Sequence, residues 1–111
     1  MKLSEVTRLL AAARECNTLE SYIGECGGSL PDDSYYEDDG ASKAVEVLTV
    51  LYECRDGISI NTLLRLYGGS VADFYREYGI PRRTMQNWLT ETNNHSDPPQ
   101  YLMRLILSDL I

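Results

Sequence analysis

Residues 70–88 read SVADFYREYGIPRRTMQNW, and the architecture of the chain follows from how this stretch is parsed. Ser70 stands where a side-chain oxygen caps a helix, and that helix runs to Tyr78 with Val71, Phe74 and Tyr78 on one face. Gly79 supplies a turn, and Pro81 sits where the first residue of a helix tolerates proline. The spacing then predicts a helix from Arg82 to Glu91, with Met85, Trp88 and Leu89 facing inward.

Two short helices joined by a glycine-centred turn make a helix-turn-helix unit, whose second helix can lie in a major groove. Upstream, Ser59 or Asn61 starts a helix carrying Leu63, Leu64 and Leu66, and Gly68-Gly69 stops it. Downstream, NNHSDPP is a loop and Gln100 to Ile111 is a closing helix. That helix shows two apolar stripes, Leu102, Leu105, Ile106 and Leu110, and then Met103, Leu107 and Ile111. One stripe covers the core; the other faces the helices of the first half or a second copy of the chain.

In the first half, Leu3 to Glu15 is a helix with Leu3, Val6, Leu9, Leu10 and Ala13 as its apolar face. Asn17 or Thr18 caps a second helix through Ile23, ended by Gly27-Gly28. Residues 29–40 read SLPDDSYYEDDG, a loop without apolar periodicity. From Ala41 to Gly57 a central helix fits best, although Val45, Val47, Thr49 and Val50 leave a strand open. The expectation is an all-α bundle of six or seven helices in a single domain over 1–111. Its parts are an N-terminal segment (1–28), an acidic loop (29–40), a central helix (41–57) and the helix-turn-helix part (58–111).

Residues 58–110 resemble the Cro/repressor-type helix-turn-helix family, in particular small mobile-element proteins with a segment like YGIPRRTxQNW followed by PPxYxLxLI. Here those stretches read YGIPRRTMQNW (78–88) and PPQYLMRLI (98–106). The resemblance implies that Arg82, Arg83, Thr84, Gln86 and Asn87 occupy a recognition helix, where Arg reads guanine and Gln or Asn reads adenine. It implies a core of Phe74, Ile80, Met85 and Trp88. Three positions depart from the family. Its usual alanine at the helix crossing is Tyr75, and its phosphate-touching polar residue after the capping serine is Val71. Its short basic loop after the tryptophan is LTETNNHSDPP (89–99), with Glu91 and Asp97 and no Lys or Arg. Residues 1–57 carry no such resemblance.

The 111 residues include 10 Lys and Arg against 17 Asp and Glu, a formal charge of -7. Residues 1–56 hold 5 basic and 12 acidic side chains, and residues 57–111 hold 5 of each, so all the excess lies in the first half. A nonspecific phosphate binder works through surplus Lys and Arg, so that class is excluded. Asp32, Asp33, Glu37, Asp38 and Asp39 lie within eight residues, with Tyr35 and Tyr36 between them. Such a cluster is either a solvated loop or a mimic of nucleic-acid phosphates, its tyrosines adding stacking area for a partner. Glu37, Asp39, Gly40 and Glu46 fall at calcium-loop positions, but Tyr35 and Ser42 occupy two others wrongly, and the match is coincidence.

Nothing points to catalysis, a cofactor or a metal. The lone His95 lies in a polar loop, Cys16 and Cys54 read as small core residues, and three cysteines without paired spacing suit reduced thiols. Glu5 and Arg8 fall where a secretory leader needs an apolar run, so a cytoplasmic protein is expected, monomeric or homodimeric. Two functions fit. In one, the scaffold binds a host protein, inhibiting a nucleic-acid-handling defence enzyme such as a CRISPR or restriction nuclease on behalf of a phage or mobile element. In the other, residues 82–87 read DNA and the chain regulates transcription. Charge favours the first, because a negative chain must overcome repulsion from DNA.

Overall fold

The structure, a computed structural model, describes residues 1–37, 42–90 and 98–111. Among the described residues there are seven α-helices, one short 3-10 turn and no strand. Contacts divide the chain into two compact units, Met1–Gly57 together with Ile111, and Ile58–Leu110.

In the first unit, α1 (Leu3–Glu15), α2 (Leu19–Cys26) and the 3-10 turn Asp33–Tyr36 all pack on α3 (Ser42–Glu53). The β-branched residues of α3 do not make it a strand, because its buried positions Ala44, Val47, Leu48 and Leu51 recur at helical spacing. Of the two candidate caps for α2, Thr18 is the one used: its hydroxyl accepts from the Ser21 amide at 3.1 Å. Tyr22 is fully buried, and its hydroxyl finds the carbonyl of Leu9 at 2.8 Å. Burial pushes its ionisation well above the ordinary tyrosine range. Cys26 and Cys54 are buried; Cys16 is half-buried and donates to the Glu25 carboxylate at 3.2 Å.

In the second unit, α4 (Ile60–Tyr67) is central and touches α5 (Val71–Glu77), α6 (Arg82–Leu89) and α7 (Gln100–Leu110). Ser59 caps α4 and Ser70 caps α5, each hydroxyl accepting an amide in the first turn. The Gln100 side chain bonds both backbone groups of Ile58, at 2.8 and 3.2 Å, tying the start of α7 to the start of the unit. Phe74 is fully buried beneath Tyr67 and Tyr78, at ring-centroid distances of 5.3 and 5.1 Å. The core of the unit also includes Ile58, Ile60, Leu63, Ile80, Met85, Met103, Ile106 and Leu107.

Two inward assignments are corrected: Leu89 is 36% exposed, and Trp88 is half-buried rather than core; Val71, on the face of α5 that carries Phe74, is 41% exposed. The cause is the shortness of α6: two turns bring only Met85 fully under cover. The two stripes expected on α7 also regroup. Met103, Ile106 and Leu107 form one buried stripe, and Tyr101 and Leu105 turn outward, as a 3.6-residue period requires. No helix among the described residues is long and apolar enough to cross a membrane.

Phe74→Ala should destabilise the protein by about 3–5 kcal/mol in urea unfolding, from lost burial and the cavity left behind. A second test uses pH. The Tyr78 hydroxyl donates to Asp109 at 2.7 Å, and burial together with that carboxylate raises its ionisation well above normal. Tyr78 therefore holds its proton longer when folded, so its contribution is intact below about pH 10 and is lost as pH rises beyond that. Tyr78→Phe should cost about 1 kcal/mol at neutral pH and remove that share of the alkaline loss in thermal melts.

Candidate functional site

The sequence of α5 and the residues after it dictate where α6 begins. Gly79 adopts φ +66°, a left-handed conformation that glycine reaches without a Cβ penalty. With it, the Ile80 amide reaches the Tyr75 carbonyl at 2.8 Å and the Gly79 amide reaches Arg76 at 3.3 Å. These two bonds are the Schellman pair that closes a helix, and the buried Ile80 supplies the apolar contact that accompanies it. Pro81 then precedes α6 as its N-cap, one residue earlier than the first-turn position read from sequence, and its side chain makes no capping bond.

Along α6, Met85 is buried, and two pairs stand one helical turn apart: Arg83 with Asn87 opposite Met85, and Arg82 with Gln86 on the flank between. Arg82, Arg83 and Gln86 are exposed; Thr84 and Asn87 are half-buried at the margin. The five residues expected on a recognition helix are thus grouped on one short helix, three of them exposed. No acidic residue lies in α6, and among the described residues neither Arg82 nor Arg83 has a carboxylate partner. Two guanidinium groups at a helix start oppose the macrodipole, so local stability does not explain them.

The carboxylates of α5 point elsewhere. The Glu77 carboxylate, and more weakly Asp73, acts on the Tyr67 hydroxyl and raises the ionisation of that tyrosine. The other side of α5 shares an open groove with α6, lined by Val71, Tyr75, Arg76, Arg82, Gln86 and Leu89 among others. Tyr75 does not prevent α5 and α6 from packing; it is half-buried and lines this groove, with the Arg76 guanidinium 6.0 Å from its ring centroid. Arg76 and Leu89 were not read as surface groups of interest from the sequence. The signal was present in the unusual Val71 and Tyr75, which together open an apolar strip one turn long beside Arg76.

The acidic segment belongs to the first unit and is built differently from its expectation. Asp32 caps the 3-10 turn, its carboxylate accepting from the Ser34 amide at 2.9 Å, and that bond holds it below the usual carboxylate range. Asp33 and Glu37 are exposed, and Asp38 and Asp39 lie outside the described residues. The tyrosines are not free stacking surface, which corrects that part of the reading. Tyr35 is only 5% exposed and donates to the carbonyl of Ile111, a residue of the same unit, at 2.6 Å. Tyr36 donates to the Gly27 carbonyl at 2.8 Å and accepts from the Leu30 amide at 3.0 Å. Both rings fasten the segment to the unit. His95 and most of the loop before the prolines also lie outside the described residues.

Arg82 and Arg83 can be separated from the fold by experiment. Arg83→Glu should leave the helical content unchanged and should stabilise the protein by about 0.3–1 kcal/mol, because it replaces a cation at a helix start with an anion. A large loss of stability in thermal melts would place Arg83 in the packing instead.

Comparison of the chain with family models, with curated proteins and with solved structures finds no match.

Proposed function

We propose that the chain is a sequence-specific DNA-binding regulator in which α5, the Gly79 turn and α6 work as a helix-turn-helix unit with α6 in the major groove. One observation carries the reading: Arg82, Arg83 and Gln86 are exposed, with Asn87 half-buried beside them, on a helix that has no acidic residue and no carboxylate partner for either arginine among the described residues. These are the side chains whose donors and acceptors match base edges, Arg to guanine and Gln or Asn to adenine. Eight helical residues extend about 12 Å, enough to address three or four base pairs. The unit that carries α6 is not negative by composition, since residues 58–110 hold 5 basic and 5 acidic side chains. The excess negative charge belongs to the other unit, where it suppresses binding to arbitrary sequence and leaves discrimination to base contacts.

A second reading is kept for that charge. Asp32, Asp33 and Glu37 are exposed carboxylates in a half with 12 acidic residues, which suits a surface that occupies a basic channel on a host defence nuclease, as an inhibitor from a phage or mobile element does. Both readings describe a cytoplasmic protein, in keeping with three free cysteines.

Fluorescence anisotropy against pooled duplexes, including the region upstream of the gene, separates them. The DNA reading expects tight binding to a preferred site, with Arg83→Ala costing about 1–3 kcal/mol and relaxing the preference at one base position. Uniform weakening across all sequences would assign Arg83 to phosphate, and no binding even at low salt would overturn the reading. Reversing Asp32 and Asp33 should leave DNA affinity intact or improved, while an inhibitor working through that surface loses its partner.

A further inference from the structure

The groove beside α6 has a composition that base recognition does not need. Val71 and Leu89 are large apolar side chains left 41% and 36% exposed on facing edges of α5 and α6, and Tyr75 continues the strip between them. Arg76 and Arg82 flank it, both exposed, with no carboxylate partner among the described residues. Among the described residues none that lines the groove is acidic, and Asp73 and Glu77 act on Tyr67 instead. An apolar strip with Tyr and Arg at its margins is the composition of a protein-binding patch.

We propose that this groove docks an acidic peptide segment of another protein, which seats aliphatic side chains against Val71 and Leu89 and sets carboxylates on Arg76 and Arg82. Charge complementarity selects that occupant. Two guanidinium groups with no carboxylate partner among the described residues favour carboxylates, in bidentate geometry, over any neutral or basic segment. A DNA backbone satisfies the arginines but leaves Val71 and Leu89 uncovered, since phosphates bring no apolar surface. The groove shares Arg82 and Gln86 with the outward face of α6. Peptide and duplex therefore exclude one another, and the peptide acts as a competitive release signal. Docking stands without the DNA-binding reading; only the release function rests on it.

The test uses the full chain as bait for phage-displayed random peptides, after depletion on a Val71→Glu/Leu89→Glu variant. Both positions are exposed, and circular dichroism melts confirm that each variant is folded before use. Enriched peptides are expected to combine Asp or Glu with Leu, Ile or Val. A fluorescein-labelled synthetic copy should bind the wild-type chain at least about tenfold more tightly than Leu89→Glu or Arg76→Glu. It should also displace any duplex the chain binds. Absence of enrichment, enriched peptides without carboxylates, or affinity unchanged by both substitutions would overturn the proposal. Concentration-dependent self-association abolished by the same substitutions would assign the groove to a second copy and overturn it as well. Peptide binding by a chain that binds no duplex would leave the docking site standing and remove the DNA-binding reading. Duplex binding without peptide binding would do the reverse.

Discussion

Everything proposed for the second unit depends on the backbone at position 79. A residue at φ +66° ends α5, pairs Ile80 with Tyr75 through the backbone, and buries the Ile80 side chain before α6 starts. Because those bonds are internal and the Ile80 anchor is apolar, the direction in which α6 leaves is fixed by packing rather than by loop flexibility. Phe74, enclosed by Tyr67 and Tyr78, holds the other end of the same corner. A short helix whose start is set this firmly can present Arg82, Arg83, Gln86 and Asn87 in one orientation, and pre-organised groups lose less freedom on binding.

The distribution of charge gives the two units different chemistry. The first carries the negative excess and uses part of it locally: Asp32 caps a turn and Glu5 pairs with Arg8 at 2.6 Å. The second is balanced by count. Among its described residues the α5 carboxylates act on Tyr67 and Asp109 is taken by Tyr78, and the arginines of α5 and α6 face outward with no carboxylate partner. Placement, more than net charge, determines what such a surface attracts.

The helix caps were legible in the sequence because capping is a local interaction: Thr18, Ser59 and Ser70 each lie within three residues of the amide they accept. The turn at Gly79 was legible for the same reason. The side chains whose fate depends on distant chain segments were not. Val71 and Leu89 fall at apolar positions of their own helices, yet α5 and α6 are too short to cover them. Tyr35 and Tyr36 sit in an acidic run that reads as solvated, while their hydroxyls reach Ile111 and Gly27. Leu30 and the tyrosines gave a hint of an anchored segment, but composition alone does not weigh two buried rings against five carboxylates. The outward face of α6 was readable as a set of residues. Its separation from the carboxylates of α5 was not, since that rests on where Tyr67 lies.

The most direct measurement is a map of backbone amide shifts in the labelled full-length chain as a selected duplex is added. The account predicts that the largest changes fall on residues 82–87 and on the Gly79 turn, while α1 to α3 move little. Changes centred on Asp32, Asp33 and Glu37, with α6 silent, would contradict it and assign recognition to the acidic unit.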